Sequence, residues 1–273
     1  MEQVISKDGT PIAFDRTGSG PAVILVDGGM CYRGFGPMPA LAKRLASQFT
    51  VYHYDRRGRG DSGNAGQYAV EREIEDLQAV LEAAGGSAHV FGASSGGALA
   101  LEATRRLPGM TSVAIYEAPF IVDDTHPPLP HGFIEETRAL VADDRRGDAV
   151  KKFMRLVGVP RIGVVVMSFM PLWKKMKAIA HTLANDLTIV APYQQGRPLP
   201  DDRWSSATMP SLVIAGGKSP AYMQNGMRAL AGVLPNARHL TLAGQTHMVK
   251  DAVVGPELAR FFGLAPAAAG AKE

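Results

Sequence analysis

The chain has 273 residues, 46% hydrophobic and 20% charged, proportions that exclude a disordered or fibrous protein and fit one α/β domain, with or without an insertion, better than two independent domains. The formal net charge of +3 is scattered among acids, with only short clusters such as Arg56-Arg57-Gly58-Arg59 and Lys174-Lys175-Met176-Lys177, so no basic stripe suited to a nucleic-acid partner forms. Cys31 stands alone and cannot close an internal disulfide, the N-terminal residues lack a basic-then-apolar signal pattern, and no window holds the roughly 18 uninterrupted apolar residues of a membrane span; cytoplasmic residence without a membrane partner is the expectation.

The first predicted elements are short strands around Val4-Ile5 and Pro11-Ile12-Ala13-Phe14, joined through an Asp8-Gly9 turn. Ala22-Val23-Ile24-Leu25-Val26 is continuously apolar, as a strand buried on both faces should be, and ends in Asp27-Gly28-Gly29. A helix through Leu41–Ala46, a strand over Thr50–Tyr54 and the polar turn Asp55–Gly63 follow. Within Val70–Ala84 the residues Ile74, Leu77, Val80 and Leu81 recur at helical spacing. Next come the strand ending in Val90-Phe91, a helix from Ala98, and a strand over Ser112–Tyr116. From about Asp123 to Asp202 the texture changes to proline-bounded segments rich in Met, Lys and Arg, predicting a helical cap or lid over residues 123–202 inserted in a core made of residues 1–122 and 203–265. Strands resume at Ser211–Gly217 and Ala237–Leu242, and an alanine-rich tail over residues 266–273 is expected to be flexible. Alternating strands and helices predict a mostly parallel sheet flanked on both faces.

Chemistry concentrates in Gly92-Ala93-Ser94-Ser95-Gly96. A serine hydroxyl is a poor nucleophile unless it is lifted off the backbone beside a base and beside amides that receive an oxyanion. A tight strand-to-helix turn does this, and it demands small residues around the serine. A chance serine in a glycine-rich loop is the competing reading, and the strand before and helix after argue against it. Gly58-Arg59-Gly60-Asp61-Ser62-Gly63 also matches a dinucleotide-binding spacing, but no helix begins at once after it. No His-x-x-x-His, paired cysteines or aspartate-rich loop offers a metal site, so neither metal nor cofactor is expected.

With Leu25-Val26-Asp27-Gly28-Gly29, the Tyr54–Gly63 turn, the Gly92–Gly96 elbow and Gly244-Gln245-Thr246-His247 in that order, the chain resembles the α/β-hydrolases from about Gly9 to Phe262. The resemblance implies Ser94 as nucleophile and His247 as general base, with the backbone amides of Gly29 and Ser95 as oxyanion donors; Asp27 stands where the family carries a histidine. His53, His89 and His239 fall in or beside strands, and His126, His131 and His181 in the cap region, which leaves His247 alone in the loop past the last strand. The family's usual acid position after the penultimate strand is Ser219, a hydroxyl that cannot balance a histidinium. The resemblance then points to Glu117, at the end of the strand after the elbow helix, with Asp123, Asp124 and Asp251 as alternatives. The implied activity is hydrolysis of an ester or lactone of a small, partly apolar molecule. Met154, Met167, Met170 and Met176 of the cap read first as core packing, and because methionine adapts to irregular shapes the cap is also expected to form an apolar acyl or ring pocket. A non-catalytic ligand receptor, a non-acylating lyase or cyclase, and a cofactor-free perhydrolase or C–C hydrolase remain open on the same fold.

Overall fold

The computed structural model describes residues 1–264; the expectations for Ala265 and for the tail over 266–273 lie outside the described residues. Eight strands form one sheet, β1 (Glu2–Ile5), β2 (Pro11–Thr17), β3 (Ala22–Val26), β4 (Thr50–Tyr54), β5 (Ala88–Ala93), β6 (Met110–Tyr116), β7 (Ser211–Gly216) and β8 (Ala237–Leu242). Their spatial order is β1-β2-β4-β3-β5-β6-β7-β8. The β1–β2 and β2–β4 pairs are antiparallel, and every pair from β4 through β3 to β8 is parallel. The apolar run of β3 has its reason here: Val23 and Leu25 face one helical layer, Ile24 and Val26 the other, and all four are fully buried.

Helices α1 (Met38–Leu45) and α10 (Asp251–Leu264) cover one face through Met38, Leu41, Leu45, Val254, Leu258 and Phe262. Helices α2 (Val70–Ala83), α3 (Ser95–Ala103) and α9 (Ala221–Val233) cover the other. Between β6 and β7 run α4 (Phe133–Ala142), α5 (Arg146–Leu156), α6 (Arg161–Ser168), α7 (Leu172–Ala178) and α8 (Leu183–Val190), which enclose a small core of their own around Met154, Val164, Trp173, Met176 and Leu183. Ile189, Val190, Tyr193 and Leu199 instead pack into the main core beneath. Among the described residues no helix is long and apolar enough to cross a membrane.

The short basic cluster Arg56-Arg57-Gly58-Arg59 is internal, all three guanidinium-bearing residues being buried. Arg57 is buried and forks onto Asp76 through Nε and Nη2, each 2.7 Å from a carboxylate oxygen, with Nη1 on Asp8. Removing one member of such a pair strands a buried charge. Arg57→Ala is therefore expected to lower unfolding free energy by about 3–5 kcal/mol; a urea midpoint at the wild-type value would contradict the pairing.

Burial also holds the His89, His181 and His239 imidazoles below their usual pKa, Arg146 and Arg59 adding to the effect at His181 and Arg228 at His239. His89 stacks on Phe262 at 4.9 Å and bonds Ser112 Oγ at 2.8 Å. Below the ordinary histidine pKa of about 6.5 the unfolded chain takes up protons that the folded chain refuses. Stability present above that pH is thus lost as the pH falls through the folded values, and the melting temperature should drop between neutral pH and pH ~5.5, less steeply in His89→Gln.

Candidate active site

Ser94 lies between β5 and α3 with φ +56° and ψ −128°, a conformation that costs a non-glycine residue about 1–3 kcal/mol. Its amide donates to the Tyr116 carbonyl at 2.8 Å, and its own carbonyl accepts from Gly97 at 3.0 Å, so the turn is held on both sides. The start of α3 presses against the end of β3. A Cβ on Gly96 would lie 2.4 Å from the Val26 and Asp27 carbonyl oxygens, which is why only glycine fits there. The same approach brings the Asp27-Gly28-Gly29 loop against the serine, and a Cβ on Gly28 would lie 2.9 Å from Ser94 Cβ.

Glu117 follows β6 with φ +46° and is wholly buried. Its Oε1 accepts from the Gly216 amide at 2.6 Å, and its Oε2 lies 3.0 Å from His247 Nδ1. Since β7 lies between β6 and β8, the carboxylate spans the end of β7 to meet an imidazole from the loop past β8. That loop is tied down where the Tyr116 hydroxyl donates to the Thr246 carbonyl at 2.6 Å. With Nδ1 engaged by the carboxylate, Nε2 is the nitrogen left to exchange a proton. Ser94 and His247 line one cavity of about 170 Å³ but make no direct hydrogen bond to each other among the described residues.

The alternative acids lie elsewhere. Asp123 bonds Thr125 and, at 2.7 Å, Asn225; Asp251 pairs with Arg44 at 2.8 Å; Asp124 is exposed. Among the described residues Ser219 Oγ is buried without a partner and does not engage His247.

The amides of Gly29 and Ser95 flank Ser94 from the β3 loop and from the first residue of α3. Neither donates to another protein group among the described residues. Asp27, the departure from the family's histidine, is buried and paired, its Oδ2 2.6 Å from His53 Nε2.

A further charge at the site escaped the sequence reading. Asp186 of α8 is buried and lines the cavity; its Oδ1 accepts from Ser95 Oγ at 2.6 Å and from Arg56 Nη1 at 2.7 Å, and its Oδ2 from Arg59 Nη2 at 2.7 Å. Burial pushes its carboxyl up, and Arg59 and Arg56 outweigh burial to leave it below the usual carboxylate range. Arg56 also forks onto Glu73 at 2.6 and 2.8 Å. The signal available in sequence was spacing: Leu183, Asp186, Leu187 and Val190 fall on one helical stripe, so the acid interrupts an apolar face.

Pro119, Ile121, Leu129, Phe153, Leu187 and Met223 give the cavity an apolar wall, with the His126 and Tyr222 rings on its lining, tilted against each other with centroids 4.3 Å apart. Leu129, Phe153 and Leu187 of this wall come from the helical segment over residues 123–202, while its methionines take the core-packing role. Met154 and Met176 fill the internal core of the helical segment, Met167 packs against that core, and Met170 is 44% exposed. The methionine on the cavity is Met223, from α9. Flexible thioethers serve here to fill an irregular interior between short helices rather than to face a ligand.

An eight-stranded, mostly parallel sheet with a serine in a strained turn after β5, followed by an acid and then a histidine at later strand ends, defines the α/β-hydrolase class. The chain belongs to the alpha/beta hydrolase family, whose model matches residues 12–252. It is similar to an alpha/beta hydrolase from Sphaerobacter thermophilus, 47% identical with a TM-score of 0.88, over 96% of this chain and 100% of that one. It is also similar to the pimeloyl-[acyl-carrier protein] methyl ester esterase of Xanthomonas oryzae, 28% identical over 86% of this chain and 90% of the relative. A third match, 34% identical to the hydrolase YraK of Bacillus subtilis, covers 43% of this chain and spans 44% of that relative's length.

Proposed function

We propose that the protein is a cofactor-free serine hydrolase acting on esters of small, partly apolar acids or alcohols. The observation that carries the reading is the Glu117–His247 contact at 3.0 Å on the wall of the cavity that also receives the strained Ser94. In the proposed reaction Ser94 Oγ attacks the ester carbonyl as His247 Nε2 takes its proton, while Glu117 holds the Nδ1 proton and balances the imidazolium. The carbonyl oxygen, now anionic, accepts from the Gly29 and Ser95 amides. His247 returns the proton to the leaving alkoxide. Water then attacks the acyl-enzyme by the same route, releasing the acid and regenerating Ser94. The apolar wall of the cavity supports an uncharged acyl or alkyl chain, and the name of the Xanthomonas relative, a methyl ester esterase, supports an ester as substrate.

The test is intact-mass spectrometry after a fluorophosphonate probe, coupled to hydrolysis of a p-nitrophenyl ester series of rising acyl length. One adduct mapping to Ser94, with turnover falling off as the acyl chain outgrows the cavity, is the expected result. No adduct and no turnover on the folded protein would overturn the reading in favour of a binding protein.

A further inference from the structure

The two amides assigned to the oxyanion come from separate elements, yet one carboxylate from a third element touches the supports of both. Arg59 Nη1 donates to the Gly28 carbonyl at 2.7 Å and to the Cys31 carbonyl at 3.1 Å, while its Nη2 is held by Asp186 Oδ2 at 2.7 Å. The Gly28–Gly29 peptide is trans, so its carbonyl and its N–H point in opposite directions. Fixing the Gly28 oxygen on Arg59 therefore fixes the direction of the Gly29 N–H, and this peptide cannot turn over without losing the guanidinium. The neighbouring peptide is held likewise, since Arg56 Nη1 donates to the Asp27 carbonyl at 3.2 Å. On the other side Asp186 Oδ1 takes the hydroxyl of Ser95, whose amide is the second donor.

The geometry points to Asp186 as a positioning residue: through Arg59 and Ser95 it aims both oxyanion amides, and it makes their alignment depend on how α8, and the helical segment it ends, sits on the sheet. The inference rests on the acyl-enzyme reading above. A carboxylate so close to Gly29, whose Cβ position lies 3.4 Å from Asp186 Oδ2, would oppose a developing oxyanion if it stood alone. Arg56 and Arg59 each take one of its oxygens, so it orients without imposing an unbalanced negative charge. If the helical segment moves off the sheet, Asp186 leaves Arg59, and the Gly28 carbonyl loses the grip that directs its partner amide.

The test compares wild type with Asp186→Asn and Arg59→Lys in three quantities: kcat and KM on one p-nitrophenyl ester, and Ki for an alkyl trifluoromethyl ketone, which adds to the serine as a hemiketal oxyanion. Removing an oxyanion donor outright costs roughly 10²–10³ in kcat, so misaiming one should lower kcat/KM roughly 10- to 100-fold. Ki should rise by the same factor while KM moves by less than about twofold, because the lost contact is made only in the transition state. Folded variants that keep both kcat/KM and Ki overturn this inference alone; so does a fall in kcat/KM with Ki unmoved, which assigns the residue to substrate contact or stability. A wild-type enzyme that forms no ketone adduct overturns the acyl-enzyme reading and this inference with it. Should the variants not fold, the structure of the wild-type ketone adduct decides. Gly29 N–H must point at the hemiketal oxygen with Gly28 still on Arg59, and a turned-over peptide overturns the proposal.

Discussion

Ser94→Ala is expected to lower kcat for ester hydrolysis by roughly 10⁶ and to abolish the fluorophosphonate adduct. The change deletes one oxygen and leaves the cavity, the Glu117–His247 pair and the free amides of Gly29 and Ser95 in place. Residual acceleration from the oxyanion amides and from binding alone should persist at about 10³–10⁴ over water. The turn itself should survive, because the contacts that hold it, from the residue 94 amide to Tyr116 and from Gly97 to the residue 94 carbonyl, belong to the backbone. Single-turnover hydrolysis with a melting curve measures both points. Activity within tenfold of wild type in a folded variant would mean that the serine is not the nucleophile.

Glu117→Gln should cost about 10⁴ in kcat with little change in KM, by a route legible in the geometry. Glutamine can keep the contact to the Gly216 amide, which needs an acceptor now supplied by Glu117 Oε1. Its other terminal atom is then an NH₂ facing His247 Nδ1, where Oε2 stood at 3.0 Å. A donor there selects the tautomer protonated on Nε2, the nitrogen that must receive the serine's proton, and it removes the charge that would stabilise the imidazolium. Ser219→Ala, at the position where a carboxylate is more usual, should by contrast leave kcat unchanged, since Ser219 Oγ has no partner among the described residues. Steady-state kinetics on the three proteins measure this directly. A Glu117→Gln enzyme with near-normal turnover would move the acid to a residue that does not now touch His247.

The parts of the molecule that could be read from sequence are those whose cause is local. The two-faced burial of β3 follows from an unbroken run of Val, Ile and Leu, and α2 follows from Ile74, Leu77, Val80 and Leu81 recurring at helical spacing. The elbow is announced by Gly92 and Gly96 because close approach of backbones admits nothing larger. Glu117 could be reached only through the family's order of motifs, and its contact with His247 depends on the sheet order that sets β7 between them. What was not legible is pairing at long range. Arg56 and Arg59 look like a solvated basic run, and nothing local says that a guanidinium at 59 meets a carboxylate at 186, which are neighbours only because α8 folds back over α3. Composition marks the cap methionines as adaptable core packing, which Met154 and Met176 are, but the burial of each is decided by which way its helix faces, and Met170 is left 44% exposed.

The left-handed turn at Ser94 bears on how such a protein adapts to heat. Two of the residues proposed for catalysis, Ser94 at φ +56° and Glu117 at φ +46°, sit where glycine would be comfortable and where their own backbones are not. Ser94→Gly should accordingly melt a few degrees higher than wild type, a net gain of about 1 kcal/mol after glycine's extra chain entropy, while keeping no more than the residual hydrolysis expected of Ser94→Ala. A lower melting point for that variant would show that the turn is not strained. Selection on heat resistance alone would therefore remove the Ser94 side chain early, whereas Glu117 is retained by its bonds to the Gly216 amide and His247, and any thermophilic descendant that still turns over substrate must have gained its extra degrees elsewhere in the chain.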